Sequence, residues 1–176
     1  MHSFKLWDIV VSERDFKTLV EQHSRQVLGI ATRILGSPHD AQDVHQEVFL
    51  EIWRRWRTYD GQIDWKAYLY RTTVRKALEF AKRSRARRSL DAQPELGTSR
   101  NTPDGSLQMV ELCGRLTRCL AKLPKHQATV FVLSRFEGLS GEKVAEILGC
   151  SRGTVRVRLH RAAKQLARDL GDYITQ

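Results

Sequence analysis

Residues 151–162 read SRGTVRVRLHRA and predict the second helix of a helix-turn-helix. Ser151 suits the N-cap, because its hydroxyl can accept a backbone N–H of the first helical turn. Val155 and Leu159 are four residues apart, so they share one face that can dock on the body of a domain. The basic side chains cover the remaining surface, where phosphates and guanine edges would be within reach. These basic residues are Arg152, Arg156, Arg158, His160 and Arg161.

The preceding residues predict the first helix of the same motif. Residues 139–149 read LSGEKVAEILG, in which Ser140 is the candidate N-cap and Gly149 begins the tight turn. A basic helix can also be no more than a solvated face. Such a face usually mixes charges, whereas residues 152–168 contain six Lys or Arg and no carboxylate. The pattern therefore favours a nucleic-acid partner.

Charge is unevenly distributed along the 176 residues. The formal net charge of +10 favours a polyanionic partner. Residues 1–64 carry a net charge of −2, residues 65–88 carry +8 and residues 89–176 carry +4. We therefore expect two separate basic surfaces, one in each half of the chain.

The composition argues against several classes of protein. No run of about 18 apolar residues is present, so we expect no membrane-spanning helix. The N-terminus lacks the order of basic, apolar and small residues that marks a secretory signal. Cys113, Cys119 and Cys150 have no metal-like spacing, so we expect no metal site and three reduced thiols in a cytoplasmic protein. No Gly-rich phosphate loop and no Ser/His/Asp arrangement is evident, so we expect neither a cofactor nor an enzyme.

Helical periodicity extends through almost the whole chain and predicts an all-α fold of two small helical domains joined by a flexible linker. The predicted helices cover residues 13–36, 40–56, 65–88, 107–122, 125–137, 141–149 and 152–171. Residues 59–62 predict a loop. Residues 89–106 predict the linker, because they are rich in Pro, Gly, Ser and Thr and poor in apolar side chains. The domains are expected at residues 13–88 and 107–172, with residues 1–12 as an N-terminal extension.

Short motifs in both halves resemble those of bacterial extracytoplasmic-function sigma factors of the sigma-70 family. In the first half they are residues 35–49, LGSPHDAQDVHQEVF, and residues 68–71, YLYR. In the second half they are residues 123–124 (LP), 137–140 (EGLS), 145–149 (AEILG) and 153–156 (GTVR). The resemblance implies a region 2-like domain and a region 4-like helix-turn-helix domain. It further implies a protein that binds core RNA polymerase and directs promoter recognition, DNA melting and transcription initiation.

The same resemblance implies the partners. They are the clamp helices of the largest polymerase subunit, the flap of the second largest, promoter DNA and an anti-sigma factor, with no membrane. Asp43, Gln46 and Glu47 are spaced to share one helix face, and by resemblance this face docks on the clamp helices. From the residues alone, a solvated acidic face is an alternative. A metal site of His39, His45 and Glu47 is a third, although it lacks a metal-binding spacing.

An aromatic and basic stretch predicts a contact with unpaired DNA, because rings can stack on bases while cations follow the phosphates. The resemblance implies that this region melts the −10 element and holds a flipped base. The candidate residues are Tyr59, Trp65, Tyr68, Tyr70, Arg71, Arg75 and Lys76. As an alternative, we expect at least two side chains of this stretch to belong to the core, from among Trp65, Tyr68, Leu69 and Tyr70. The stretch departs from the family at Tyr68, where relatives commonly carry Trp, and at Arg75, where many carry Asn, which leaves the base preference open.

By the same resemblance, the last helix enters the major groove at the −35 element. The candidate contacts are Arg152, Thr154, Arg156, Val157, Arg158, His160 and Arg161. Arg156, His160 and Arg161 are the candidates for base and phosphate contacts, and Arg152 and Arg158 for contacts with the backbone alone. Val157 stands where relatives commonly have a small polar residue, which indicates an apolar contact such as a thymine methyl.

Other functions stay open on the residues alone. A helix-turn-helix transcriptional regulator with an N-terminal sensor or interaction domain would account for residues 139–162. It would not need an acidic face beside an aromatic and basic stretch, as residues 40–88 provide. An enzyme acting on DNA would need a nucleophile or acidic metal ligands near a basic groove, and the sequence indicates neither.

Overall fold

The computed structural model describes residues 6–56, 63–88 and 107–174, and every regular element within these ranges is helical. The predicted all-α fold is therefore confirmed. The predicted loop at residues 59–62, which includes Tyr59, and the predicted linker at residues 89–106 lie outside the described residues.

Three helices form what we call the N-terminal unit. They are α1 (Leu6–Leu35), α2 (Pro38–Arg55) and α3 (Trp65–Arg88). Their apolar faces meet in a core, and burial of each large aliphatic side chain contributes about 1.5–3 kcal/mol. Its buried members include Val27, Ile30, Ile34, Val44, Val48, Ile52, Leu69 and Val74. Packing of amphipathic faces therefore stabilises these helices more than intrinsic propensity does.

Two helices of this unit begin earlier than predicted. Helix α1 begins at Leu6 rather than at residue 13, so it runs through part of the predicted N-terminal extension. Helix α2 begins at Pro38 rather than near Asp40, because Ser37 is the N-cap. The Asp40 N–H donates to Ser37 Oγ at 3.2 Å. Proline in the first turn loses no helical hydrogen bond, which fits this start.

The remaining helices form the C-terminal unit. They are α4 (Leu107–Lys122), α5 (Lys125–Phe131), α6 (Gly141–Leu148) and α7 (Arg152–Ile174). The predicted helical segment at residues 125–137 is confirmed, although its second half, Val132–Phe136, is a π-helical turn instead of α-helix. There the Glu137 N–H donates to the Val132 carbonyl at 3.1 Å, five residues back instead of four. The wider turn ends the helix and leads into the helix-turn-helix.

The joint between α6 and α7 has the predicted caps. Ser140 Oγ accepts the Lys143 N–H at 3.3 Å, and Ser151 Oγ accepts the Thr154 N–H at 3.1 Å. Gly149 ends α6 in the left-handed region, with φ of 59° and ψ of 40°. Such a glycine turns the chain without the strain that a Cβ would cause. The helix-turn-helix is thus confirmed as a local structure.

The two units pack against each other, which the sequence did not lead us to expect. Helix α1 contacts α4, α5 and the π-helical turn, and α3 contacts α5 and α6. Gly36, between α1 and α2, has a φ of 79° and lies so close to α4 that a Cβ there would be 2.3 Å from the Cβ of Ala121. The buried side chains of both units form one continuous cluster.

Candidate nucleic-acid interface

The outward face of α7 carries most of the candidate −35 contacts. Val155 is buried and Leu159 is partly buried against the core, as predicted, so the opposite side of the helix faces solvent. The exposed candidates are Arg152, Arg156, Val157, His160 and Arg161, and the half-buried ones are Thr154 and Arg158. Val157 is 48% exposed and is therefore available for an apolar contact.

Thr154, one of the candidate DNA contacts, takes part in the N-cap of α7. The Thr154 hydroxyl lies 2.9 Å from Ser151 Oγ, the same oxygen that accepts the Thr154 backbone N–H. Thr154 is therefore part of the cap. A contact between its hydroxyl and DNA would compete with this hydrogen bond.

The cations of α7 differ in whether a carboxylate balances them. Arg152 Nη2 lies 2.6 Å from Glu142 Oε1. Hydrogen bonds from the backbone N–H of Glu142 itself and from Ser140, and then the charge of Arg152, lower the pKa of the Glu142 carboxyl. Within the described parts of the chain, Arg156 and Arg161 form no ion pair, so their charge is fully available to an anionic ligand.

Acidic side chains of α2 and basic side chains of α3 form one network. Glu51 accepts from Arg75 Nη2 at 2.5 Å and from Lys76 Nζ at 3.2 Å. Glu47 lies 3.5 Å from Lys76 Nζ and 3.1 Å from Arg83 Nη2. Burial raises the pKa of Glu51, but the hydrogen bonds and charges of Arg75 and Lys76 outweigh it, so the net effect lowers that pKa. The sequence predicts Glu47 as a polymerase contact and the two cations as DNA contacts, so the network links two candidate sites.

The predicted polymerase-binding face lies along α2. Asp43 and Gln46 are exposed, and Glu47 beside them is half-buried. Leu50, one turn beyond Gln46, is 47% exposed and extends the same face with an apolar side chain. Leu50 was not among the residues predicted for this face, although its spacing of four from Gln46 places it there.

Neither a metal site nor a membrane-spanning helix is found in the described ranges. No group of three or more His, Cys, Asp or Glu side chains there could hold a metal ion, and no helix there is long and apolar enough to cross a bilayer. His45 Nε2 instead lies 2.8 Å from Ser24 Oγ, and burial lowers its pKa. Cys113 is exposed, Cys119 is buried and Cys150 is half-buried, and each is a free thiol.

A row of aromatic rings crosses all three helices of the N-terminal unit. Phe16 contacts Trp53 and Trp56, with ring centroids 4.8 and 5.2 Å apart. Trp56 stacks on Trp65 at 5.2 Å, and Trp65 meets Tyr68 edge-on at 6.0 Å. Trp65 and Tyr68 are predicted −10 contacts. Phe16, Trp53 and Trp56 were not predicted, because they lie outside the aromatic and basic stretch of α3. Trp53 is 43% exposed, so this end of the row is accessible to solvent.

Two further −10 candidates face the C-terminal unit. Tyr70 is 3% exposed, and its hydroxyl donates to Glu137 Oε2 at 3.0 Å. Burial and the negative charge of Glu137 raise the pKa of this hydroxyl, so it stays protonated as a donor. Arg71 Nη1 lies 3.8 Å from Glu146 Oε1 of α6. Tyr70 is therefore closed to DNA in this arrangement, whereas Arg71 is exposed but paired with Glu146, and the role of both stays a prediction.

Comparison with known proteins identifies both units. Residues 19–88 match the family model described as Sigma-70 region 2, and residues 113–166 match the one described as Sigma-70, region 4. The chain is 31% identical over 165 residues to the ECF RNA polymerase sigma-E factor of Haemophilus influenzae, covering 88% of this chain and 86% of that protein. It is 34% identical over 152 residues to the ECF RNA polymerase sigma factor SigE of Mycolicibacterium smegmatis, covering 84% of this chain but 58% of that longer protein.

A solved structure has the same fold. The sigma factor RpoE of Bartonella quintana, in complex with the anti-sigma factor NepR, superposes with a TM-score of 0.73. The match covers 90% of this chain and 98% of RpoE at 23% sequence identity. At that identity the likeness concerns the fold alone.

Proposed function

This chain belongs to the extracytoplasmic-function group of the sigma-70 family and is an RNA polymerase sigma factor, and from that premise we propose how its residues divide the work. Residues 13–88 bind core polymerase and the −10 element, residues 107–172 bind the −35 element, and residues 89–106 link them. The chain supplies specificity, works in the cytoplasm beside the polymerase and contributes no catalytic step, metal or cofactor. Helix α7 carries the proposal, because its capped first turns expose Arg156 and Arg161, which no described carboxylate balances.

The −35 element is read by the outward face of α7. Arg156 has a free guanidinium that can donate two hydrogen bonds to a guanine edge in the major groove. His160 and Arg161 lie one turn further on and reach bases or phosphates, while Arg152 and Arg158 contact the backbone. The exposed methyl groups of Val157 suit a thymine methyl. Thr154 contributes mainly through the N-cap, which orients the first turn of the helix.

The −10 element is bound by the aromatic row and the cations of α3. Trp65 and Tyr68 offer partly exposed rings for stacking on unpaired bases, each worth about 1–3 kcal/mol. Arg75 and Lys76 follow the phosphates once DNA competes with Glu51 for them. Tyr59 belongs to the same proposed set and lies outside the described residues. Tyr70 joins it when the C-terminal unit no longer covers its ring, and Arg71 joins it when DNA competes with Glu146 for the guanidinium.

Core polymerase is bound by α2 through Asp43, Gln46 and Glu47, which dock on the clamp helices of the largest subunit. The C-terminal unit binds the flap of the second largest subunit. A relative of the same fold was solved with an anti-sigma factor. We extend this to the present chain as a partner that would cover the polymerase-facing surfaces.

Run-off transcription with purified core polymerase tests the proposal. On sheared DNA from the source genome, we expect initiation at discrete sites only when the chain is present. Asp43→Ala with Gln46→Ala should abolish initiation, and Asp15→Ala, an exposed aspartate of α1, is the matched control. Absence of both initiation and core binding would contradict the proposal and favour a helix-turn-helix regulator.

A further inference from the structure

Glu137 joins the two helical units through a partly buried cluster of polar side chains. It follows the π-helical turn, and its side chain is 12% exposed. Its Oε2 accepts from the Tyr70 hydroxyl and from Gln26 Nε2, each at 3.0 Å, and its Oε1 lies 3.8 Å from Arg33 Nη1. Gln26 Nε2 also donates to the Tyr70 hydroxyl oxygen at 2.6 Å. One carboxylate of the C-terminal unit thus meets three side chains of the N-terminal unit.

Two further contacts join the same units around this cluster. Lys125 Nζ donates to the carbonyl oxygens of Ile34 and Leu35 at 3.0 and 3.2 Å, in the last turn of α1, where carbonyls have no helical partner. The guanidinium of Arg33 lies 4.5 Å from the ring centroid of Phe136. The cluster is therefore the polar centre of a larger interface.

The chemistry of the cluster makes this contact specific and reversible. A carboxylate removed from water is tolerated only while its hydrogen bonds are made. When the units separate, water replaces those bonds, so the hydrogen bonds themselves contribute little net free energy to closure. When one partner is deleted, the closed state keeps a buried polar group without a hydrogen bond, whereas the open state does not. Removing one partner therefore raises the free energy of the closed state and leaves that of the open state unchanged.

We propose that Glu137 is a latch that holds the two units together in the free chain, so that the chain's own C-terminal unit covers Tyr70 and pairs with Arg71. Tyr70 is buried against Glu137, and Arg71 is paired with Glu146 of α6. Both are proposed −10 contacts, so the inhibitory effect of closure rests on the proposed function. Polymerase or promoter DNA then has to separate the units before Tyr70 can contact DNA and before Arg71 is freed from Glu146.

Small-angle X-ray scattering of the full chain tests the latch. Glu137→Ala and Gln26→Ala remove the two sides of the cluster, and Glu111→Ala is the matched control, because Glu111 is exposed and pairs with Arg115 within α4. A compact chain of 176 residues has a radius of gyration of about 16 Å. We expect a larger radius in both latch variants than in the wild type or the control, because losing one such bond lowers the closed-to-open ratio about tenfold.

Circular dichroism separates opening from unfolding, because helix content is unchanged when the units only part. If Glu137→Ala loses helix content, Gln26→Ala tests the latch instead, because it removes a partner of the same cluster in the N-terminal unit. A radius of gyration equal to that of the wild type in the folded latch variants would overturn the proposal, whatever the chain does in transcription.

Binding of a fluorescein-labelled single-stranded oligonucleotide of mixed sequence tests the consequence. Glu137→Ala and Glu111→Ala carry the same net charge, so a difference between them does not arise from total charge. We expect Glu137→Ala to bind several-fold more tightly, because Tyr70 becomes accessible and Arg71 is released from Glu146. Opening without tighter binding would support the latch and contradict the −10 assignment of these two residues.

Discussion

The guanidinium of Arg75 donates to the carboxylate of Glu51 over 2.5 Å, across the interface between α3 and α2. Lys76 shares that carboxylate at 3.2 Å. The two cations lie in the proposed −10 surface, whereas Glu51 lies on the helix that carries the proposed polymerase-binding face. The network therefore fixes the position of one proposed surface relative to the other, and it makes stability depend on the ionisation of Glu51.

Glu51→Gln removes this charge while keeping the side-chain shape. Although burial opposes it, pairing with Arg75 and Lys76 holds the pKa of Glu51 below its ordinary value of 4.5. Ionised Glu51 therefore stabilises the fold above that pH, and the contribution is lost as the pH falls through the lower folded value. We expect the variant to lose about 1 kcal/mol at neutral pH, since the pair is partly solvated. The stability of Glu51→Gln should also fall less steeply than that of the wild type as the pH is lowered.

Urea unfolding at neutral and acidic pH measures both effects. Glu79→Gln is the control, because Glu79 is exposed and lies 3.9 Å from the same Arg75. It should change stability little at any pH. Identical pH profiles for Glu51→Gln and the wild type would contradict the prediction.

Thr73→Val should stabilise the chain. Thr73 in α3 is fully buried, and its hydroxyl finds no hydrogen-bond partner among the described residues. Removing an unsatisfied buried hydroxyl gains about 1 kcal/mol, because valine has nearly the same shape. Thr129→Val is the matched control, since Thr129 is equally buried but donates to the Lys125 carbonyl at 2.7 Å. In thermal unfolding, the midpoint temperature should rise for Thr73→Val and should not rise for Thr129→Val. A lower midpoint for Thr73→Val would show that its hydroxyl is satisfied.

Gly36→Ala should destabilise the chain for two reasons. A φ of 79° is strained for any residue with a Cβ, and the added methyl would meet the Cβ of Ala121 at 2.3 Å. We expect a loss of about 2 kcal/mol or more in urea unfolding. Gly114→Ala is the contrasting variant, because a Cβ on that helical glycine would have no neighbouring atom within 4 Å among the described residues. It should gain about 0.5–1 kcal/mol. Equal effects of the two substitutions would refute this interpretation of Gly36.

Arg156→Ala should reduce selective binding to the −35 element. If Arg156 reads a base, we expect a loss of about 1–3 kcal/mol and relaxed preference at a single base pair. Holoenzyme binding to a set of −35 variants measures this. Arg168→Ala, on the same helix but bonded to Gln165, should leave the preference intact. An equal loss on all DNA sequences would assign Arg156 to a phosphate.

Local features of the fold could be predicted because a few neighbouring residues determine them. Ser140, Ser151 and Gly149 cap helices through bonds within four residues, and Val155 is buried through simple periodicity. The π-helical turn could not be predicted in this way. Its bonds reach one residue further, and the apolar spacing of residues 125–137 gives no sign of it.

The candidate sites could be predicted only where they lie along one helix. The outward face of α7 follows from the sequence alone. The contact of Phe16 with Trp53 and the bond of Tyr70 to Glu137 join residues far apart in the chain, and no local pattern encodes them. Tyr70 is aromatic beside a basic stretch, as a DNA contact should be. Its burial depends on how the two units meet.

Helix α7 is one continuous rod of 23 residues, about 35 Å long, and it serves two tasks. Its first turns carry Arg156 to the surface, while Ala162 and Leu166 further along are anchored in the core. Together with Val155 in the first turn, these two side chains set the tilt of the helix on the core. A tilt of about 5° at Leu166 moves the Cα of Arg156 by about 1 Å, given the helical rise per residue. A substitution of a core side chain that makes no contact with DNA can therefore change the promoter preference.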